Sequence, residues 1–317
     1  MNNRKRVLVI TGPTATGKTA LSVLLAKRLD GEIISADSMQ VYRGMDVGTA
    51  KVTPAEMQGV PHHLIDVAEP SENYSVARWV DAAAAAAEDI FSRGKLPMIV
   101  GGTNLYIDSL LSGRDFAENG GDSALRDALS AEYDRIGGEA FREKLREVDP
   151  ERASLLHPSD KKRLVRALEI YRLTGETITA HDERTKALPK RWDSLRVALN
   201  FADRAALYER IDRRVDEMLA AGLFGEVRSL LAAGLPPDCT AMQAIGYKEV
   251  VGYFSGESTA EAAADAIRQN SRRYAKRQLT WLRRDAELLW ILWEGVPDLS
   301  AAAETVLARW NADAREN

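Results

Sequence analysis

The stretch that decides the fold is Gly12-Pro13-Thr14-Ala15-Thr16-Gly17-Lys18-Thr19. It matches G-x-x-x-x-G-K-[ST], the pattern of a phosphate-binding loop. The apolar run Val7–Thr11 before it predicts a strand, and Ala20–Leu29 after it predicts a helix. In that setting backbone N–H groups and a helix N-terminus surround an anion, while Lys18 adds a positive charge and the Thr19 hydroxyl can hold Mg²⁺. The loop therefore predicts a polyphosphate site, but it leaves the reaction open.

The composition is typical of a globular protein with room for two domains. The chain has 317 residues, of which 45% are hydrophobic and 28% are charged. No apolar run approaches the ~20 residues that a membrane-spanning helix needs. Cys239 is the only cysteine, so a disulfide framework and a cysteine zinc site are excluded. We expect a cytoplasmic protein without a membrane partner and, because no segment has the pattern of a dimer interface, a monomer.

Positive charge is concentrated in two segments, although the net charge is −4. Arg268–Arg284 holds seven basic residues and no acidic one, and Asp160–Arg214 holds fourteen basic and nine acidic residues. Local basic stripes are the electrostatic footprint of nucleic-acid binding. A solvated helix face or anchors for substrate phosphates would give the same pattern. Within the first stripe, Trp281 and Tyr274 also fit core packing, and we favour core packing for Trp281.

Residues 1–112 and 189–317 are expected to form one α/β core. Five apolar segments predict strands: Val7–Thr11, Glu32–Ser35, Pro97–Val100, Leu195–Phe201 and Leu288–Leu292. Helical segments lie between and after them: Val76–Arg93, Arg204–Ala221, Phe224–Ala233, Met242–Tyr253 and Thr259–Arg284. Alternating strands and helices predict a P-loop NTPase-like parallel sheet, with ligands at the carboxyl ends of its strands.

Residues 113–188 are expected to form an all-helical insertion domain. The composition changes to Gly, Asp, Glu and Asn around Gly113–Gly121, which suggests a boundary. Beyond it no strand pattern occurs, and apolar residues recur at helical spacing. The predicted helices are Ala124–Ile136, Glu139–Glu147, Pro150–Leu156 and Lys161–Thr174.

Asp37 follows the second predicted strand, close to where the first strand delivers the phosphate-binding loop. A carboxylate there can hold Mg²⁺ or accept a proton from an incoming nucleophile. It can also cap the next turn. The residues alone leave these three roles open. Gly101-Gly102-Thr103 also places glycine and a hydroxyl residue at the end of a predicted strand. Its backbone and the Thr103 hydroxyl can therefore approach a ligand closely.

Seven motifs in this order resemble those of bacterial tRNA dimethylallyltransferases, from about Val7 to Arg284. They are G-P-T-A-T-G-K-T (12–19), A-D-S-M-Q-V-Y (36–42), M-D-V-G-T-A-K (45–51), G-G-T-N-L-Y (101–106), R-L-V-R-A-L-E (163–169), A-I-G-Y-K (244–248) and K-R-Q-L-T-W (276–281). The phosphate-binding loop is generic, whereas the ordered set is specific to this family. Lys161-Lys162 departs from the family's frequent Pro-Gln, which puts the family's glutamine contact with RNA in doubt.

The resemblance implies a reaction and roles for three residues. Dimethylallyl diphosphate would bind with its diphosphate in Gly12–Thr19, assisted by Mg²⁺ on Thr19. Arg214, in the R-I-x-x-R segment, would stabilise the leaving diphosphate. Asp37 would take the proton from N6 of the adenosine 3′ of the anticodon, which must leave its stack to react. Thr103 would contact that base.

The resemblance also implies a surface for the tRNA anticodon stem-loop, which the insertion 113–188 would grip. The residues in the family's tRNA-contact positions are Asp37, Ser38, Met39, Gln40, Thr103, Arg126, Lys162, Arg163, Leu164, Val165, Arg166, Gln243, Ala244, Ile245, Gly246, Tyr247 and Lys248. Basic side chains among them suit phosphates, which position RNA without reading its sequence.

Two other functions use the same phosphate-binding loop. A small-molecule P-loop kinase would use Lys18, Thr19 and Asp37 on a hydroxyl substrate. An RNA-binding nucleotide switch would bind ATP or GTP without group transfer. Both need a nucleoside triphosphate, and neither accounts for the ordered later motifs.

Overall fold

Six parallel strands form one sheet in the part of the chain that the structure describes. The computed structural model describes residues 5–113, 123–186 and 188–316. The strands are β1 (Arg6–Thr11), β2 (Gly31–Ser35), β3 (His62–His63), β4 (Leu96–Val100), β5 (Asp193–Phe201) and β6 (Leu289–Trp293). Their order across the sheet is β3-β2-β4-β1-β5-β6, and every neighbouring pair is parallel. The predicted parallel sheet and its five predicted strands are confirmed, whereas the two-residue strand β3 was missed.

The sheet brings the ends of three strands to one place. Val7–Ile10 of β1 is fully buried, as expected for a strand covered on both faces. Ile10 pairs with Val100 of β4 and with Val197 of β5. Because β2 runs parallel to β4 on its other side, the segments that follow β1, β2 and β4 leave the sheet at the same edge.

Four helices accompany the first four strands: α1 (Lys18–Leu29), α2 (Pro54–Met57), α3 (Val76–Ser92) and α4 (Asn104–Leu111). The N-terminus of α3 is capped by Ser75, whose side chain accepts from the Arg78 N–H at 3.2 Å. Trp79, Ala83 and Ile90 lie on its buried face, so the alanine run of α3 packs closely on the core.

Residues 112–191 form a separate compact unit, whose described residues contain helices only. These helices are α5 (Ser123–Ile136), α6 (Gly138–Val148), α7 (Pro150–Leu155), α8 (Lys161–Thr174) and α9 (Ile178–Lys186). Phe141, Leu145, Leu164 and Leu168 are central to its own apolar core. The predicted boundaries were 113 and 188, and part of the predicted loop, 114–122, lies outside the described residues.

The second half of the core carries the remaining helices. They are α10 (Arg204–Ala220), α11 (Leu223–Ala232), α12 (Tyr247–Phe254), α13 (Ala260–Leu282) and α14 (Leu299–Glu316). The predicted helix Met242–Tyr253 is wrong at its start, because Gly246 has φ 99° and Ala244 has extended backbone with ψ 148°. Residues 241–243 form a 3₁₀ turn, and the α-helix begins only at Tyr247.

Over the residues that the structure describes, no helix combines the length and the apolar character needed to cross a bilayer.

Candidate active site

The phosphate-binding loop is held in shape by close packing and by two hydrogen bonds. A Cβ atom at Gly12 would overlap the Leu199 carbonyl oxygen on β5, and φ there is 134°, so glycine is required. The Thr16 hydroxyl donates to the Pro13 carbonyl at 2.8 Å, and the Trp293 indole donates to the Thr16 carbonyl at 3.0 Å. The loop is therefore fixed before a ligand binds.

Lys18, at the first position of α1, turns back over the loop. Its ammonium donates to the carbonyls of Gly12 at 3.0 Å and Pro13 at 2.6 Å. Burial, together with the charge of Arg214, lowers the Lys18 pKa to about 7, although the charge of Asp37 opposes this shift. All three charged groups thus lie close enough to influence one another.

Asp37 closes a turn after β2 and keeps an oxygen available. Its Oδ1 accepts from the N–H groups of Met39 at 2.9 Å and Gln40 at 3.3 Å. Within the described residues Oδ2 has no hydrogen-bond partner, and the side chain lies in the wall of the large cavity. The capping role and a proton-accepting role are therefore compatible, because they use different oxygens.

Gly101 and Gly102 let the end of β4 approach two other segments. A Cβ atom at Gly101 would overlap the Ala36 carbonyl oxygen, and one at Gly102 would overlap the Gln278 amide. The Thr103 N–H donates to Ala36 O at 3.1 Å, and the Ser38 N–H donates to the Thr103 hydroxyl at 3.1 Å. Thr103 is thereby fixed beside the Asp37 turn.

Two side chains of α13 lie next to Gly102 and Thr103, and the sequence analysis missed their role. Gln278 is buried and donates to Gly102 O at 2.9 Å. Tyr274 lines the cavity beside Thr103 and Gln278. Burial, with the charge of Asp37, raises the pKa of Tyr274 to about 12. No local pattern in the sequence indicated this role.

Arg214, on α10, lies in the wall of the same cavity as Asp37. Its Nη2 donates to Ala50 O at 3.3 Å, and burial lowers its pKa while the charge of Asp37 works against that shift. Gln40 donates to the same Ala50 carbonyl at 3.3 Å and to Thr49 O at 3.3 Å. The loop 45–51 therefore contacts both side chains.

Most of these groups line one cavity of about 660 Å³ in the core, although Gly12, Pro13 and Thr103 are not in its wall. The predicted site residues in its wall are Thr14, Ala15, Thr16, Gly17, Lys18, Thr19, Asp37, Ser38, Met39, Gln40, Arg214, Gln243, Ala244, Ile245 and Lys248. The rest of the wall is mixed: Val52, Ile65 and Met218 are apolar, whereas Glu56, His62, Arg210 and Arg277 are polar or charged. The cavity therefore offers apolar side chains as well as an anion site to a ligand with a charged end and a hydrocarbon end.

Three of the residues predicted to contact tRNA have side chains that are not at the surface. The side chains of Leu164 and Val165 are buried in the apolar core of the insertion unit, and Tyr247 is fully buried in the core. Their side chains therefore do not form a surface. Around Tyr247 the exposed side chains are those of Gln243 and Lys248.

Two cations of the insertion unit pair with one buried carboxylate. Glu169 of α8 accepts from Arg126 at 2.9 Å and from Arg166 at 2.9 Å. Burial alone would raise the Glu169 pKa, but these two arginines outweigh it and hold that pKa below its usual value. Lys162 and Arg163 are exposed, and among the described residues the ion-pair partner of Arg163 is Asp160, at 3.7 Å.

Two of the cations of the 268–284 stripe are engaged within the core. Arg268 pairs with Asp216 and Arg272 with Asp212, each at 2.6 Å. For the other five, the described residues provide no ion-pair partner; these are Arg273, Lys276, Arg277, Arg283 and Arg284. The prediction of core packing for Trp281 is wrong, since its side chain is 39% exposed and its indole donates to Asp108 at 2.6 Å.

Comparisons with known proteins agree on one family. A family model described as IPP transferase matches residues 40–285, and one described as isopentenyl transferase matches residues 5–71. The tRNA dimethylallyltransferase of Halalkalibacterium halodurans is 47% identical over 287 residues, covering 90% of this chain and 91% of that protein. That of Symbiobacterium thermophilum is 49% identical over 301 residues, covering 95% and 93%.

Solved structures of related enzymes have the same fold. The full-length tRNA isopentenylpyrophosphate transferase from Bacillus halodurans is 42% identical, covers 99% of both chains and gives a TM-score of 0.74. A eukaryotic dimethylallyltransferase acting on tRNA is 29% identical, covers 99% of this chain and 80% of that one, and gives a TM-score of 0.83.

Proposed function

Because the chain belongs to the IPP transferase family and transfers a dimethylallyl group to tRNA, we propose that the core cavity carries out this transfer from dimethylallyl diphosphate. The acceptor is N6 of the adenosine 3′ of the anticodon. One observation supports the proposal above the others: a phosphate-binding loop, two half-buried cations and a carboxylate line the same cavity.

The diphosphate binds at the N-terminus of α1, where backbone N–H groups and the helix dipole favour an anion. Lys18 and Arg214 bring positive charge to the same place. When the allylic C–O bond breaks, its electron pair leaves with the diphosphate and positive character develops on the allylic carbon. Stabilising the departing charge is therefore the main catalytic task of these residues.

Mg²⁺ fits beside the loop on the chemistry of its donors. The Thr19 hydroxyl lies in the cavity wall and has no hydrogen-bond partner in the described part of the chain. That part also contains no cluster of three His, Cys, Asp or Glu residues able to hold a metal ion. Thr19 would thus hold Mg²⁺ together with diphosphate oxygens, as this ion usually binds. Its charge would help to neutralise the leaving diphosphate.

Asp37 is the proposed general base. As the bond from N6 to the allylic carbon forms, the proton of N6 passes to the free Oδ2 of Asp37, while Oδ1 keeps the turn closed. The Thr103 hydroxyl, which accepts from the Ser38 N–H, lies next to the Asp37 turn and would contact the target base. The reacting adenine leaves its stack to reach this point.

A small-molecule kinase would also use the loop, Lys18 and Asp37. It would require a nucleoside triphosphate, whereas prenyl transfer requires none. The discriminating experiment measures diphosphate release from dimethylallyl diphosphate with tRNA and Mg²⁺ but without ATP or GTP. Release that depends on tRNA supports the proposal, and phosphate transfer from ATP without such release would overturn it.

Binding of dimethylallyl diphosphate is expected to take up a proton. The free-enzyme pKa of Lys18 is about 7, and a bound anion raises it. Above that pKa, affinity should therefore fall as pH rises, by up to about tenfold per pH unit, and below it this group should cause no further change. Calorimetry at about pH 8 in two buffers of different ionisation enthalpy measures the uptake. The same uptake in Lys18→Met would contradict this assignment.

Exposed cations of α8 are expected to contact tRNA phosphates. Replacing Lys162 and Arg163 together by alanine should weaken tRNA binding and reduce its salt slope by about 0.7–0.9 per lost contact. Arg166 is left in place, because it pairs with the buried Glu169. The control replaces Lys144 and Arg146, which lie on another helix of the same unit. A salt slope equal to that of the unmodified protein would show that Lys162 and Arg163 do not contact tRNA phosphates.

A further inference from the structure

Glu226 of α11 holds the loop 45–51 with an unusual number of hydrogen bonds. Its Oε2 accepts from the N–H groups of Asp46 and Val47, both at 2.8 Å. Its Oε1 accepts from the Gly48 N–H at 3.0 Å and from the Tyr247 hydroxyl at 2.5 Å. Three successive backbone donors and a phenol therefore converge on one carboxylate, and hydrogen bonds to an ionised group are the strong ones.

The fourth donor to Glu226, the Tyr247 hydroxyl, lies in the core. Tyr247 is fully buried, and burial together with the charge of Glu226 raises its pKa, so the hydroxyl stays protonated and donates. A Cβ atom at Gly48 would overlap the ring of Tyr247. Glycine at this position thus lets the loop pack directly on the tyrosine that orients Glu226.

The other end of the same loop contacts the proposed site. The Ala50 carbonyl accepts from Arg214 and from Gln40, each at 3.3 Å, and the Thr49 carbonyl also accepts from Gln40. Lys51 fixes the outer side of the loop through Tyr42 O at 2.8 Å and Asp46 at 2.6 Å. A rigid segment therefore joins Glu226 to two side chains of the cavity.

We propose that Glu226 is a positioning residue for dimethylallyl transfer, which acts through the loop 45–51 on the orientation of Arg214 toward the diphosphate. The inference rests on the proposed function of the cavity. Glu226 itself does not line the cavity, so its effect on the ligand must pass through the carbonyl of Ala50. The alternative is that Glu226 only stabilises the fold.

The test uses the Glu226→Gln variant, in which an amide N–H₂ group replaces one acceptor oxygen and opposes the backbone donors. Binding of inorganic pyrophosphate with Mg²⁺ is measured by calorimetry on the full chain without tRNA. We expect roughly tenfold weaker binding, since charge-assisted hydrogen bonds are lost. The control is Glu209→Gln, on the helix that carries Arg214, where the side chain is exposed.

A double-mutant cycle separates positioning from stability. In an Arg214→Ala background, Glu226→Gln should change pyrophosphate affinity by less than about twofold, because both substitutions remove the same interaction. A full tenfold loss in that background, or unchanged affinity of Glu226→Gln alone, would overturn the inference. If the unmodified protein does not bind pyrophosphate, the proposed function fails instead.

The Tyr247→Phe variant keeps the test decisive if Glu226→Gln does not fold. It removes one of the four donors and leaves the backbone hydrogen bonds of Glu226 in place. We expect roughly threefold weaker pyrophosphate binding, from the loss of one hydrogen bond, and no further loss when Arg214 is also replaced. Equal affinity to that of the unmodified protein would overturn the inference.

Discussion

Replacing Asp37 by asparagine is expected to reduce dimethylallyl transfer by about 10²–10⁴-fold, the usual contribution of a general base. Asparagine retains an oxygen at the Oδ1 position, so the hydrogen bonds to Met39 and Gln40 can persist. It removes the carboxylate that accepts the proton. Single-turnover transfer to tRNA measures the chemical step directly.

Diphosphate binding is the internal control for this variant. Asp37 places a negative charge near Lys18 and Arg214, so its neutralisation should leave pyrophosphate affinity equal or increase it. Asp37→Ala should lose the same chemistry and, in addition, the turn. A transfer rate in Asp37→Asn within a few-fold of the unmodified protein would exclude Asp37 as the base.

Replacing Arg214 by alanine is expected to lower kcat/KM for dimethylallyl diphosphate by about 10²–10³-fold, the usual cost of removing a group that stabilises charge in the transition state. Arg214 is half-buried in the cavity wall, where solvent screens its interaction with the departing diphosphate less than at an open surface. Arg214→Lys should recover part of the loss, because it restores the charge without the planar guanidinium.

The neighbouring Arg213 supplies the matched control. Its side chain is 59% exposed and lies 4.0 Å from Glu209, so Arg213→Ala removes the same charge from the same helix without touching the cavity. Steady-state kinetics for both variants should separate them by at least about tenfold in kcat/KM. Equal losses would mean that long-range charge, rather than the position of Arg214, supports catalysis.

Local patterns in the sequence were sufficient to predict the sheet and the phosphate-binding loop. Val7–Thr11 and Leu195–Phe201 lie in parallel strands that are covered on both faces. Such strands consist largely of apolar residues, and these runs can be recognised in the sequence. His62–His63 has no such pattern, since it forms a two-residue edge strand through pairing with β2. The break at Gly246 was missed because A-I-G-Y-K lies between residues that favour helix.

The parts of the site that depend on tertiary contact were not predictable from spacing. Asp37, Lys18 and Arg214 were identified from motifs, and the structure brings all three to one cavity. Tyr274 and Gln278 belong to a long basic helix, and only its packing against Gly102 and Thr103 gives them a role. Glu226 and Tyr247 meet the loop 45–51 from distant segments, so no local pattern indicates their contact.

The central claim is that this cavity transfers a dimethylallyl group to an adenosine of tRNA. Its most direct test incubates the protein with unmodified tRNA, Mg²⁺ and dimethylallyl diphosphate, without a nucleoside triphosphate, followed by mass spectrometry of the digested nucleosides. We predict that one adenosine gains a dimethylallyl group in place of a hydrogen, and that a tRNA with guanosine 3′ of the anticodon gains none. Unchanged adenosine in a competent tRNA, together with phosphate transfer from ATP, would contradict the account.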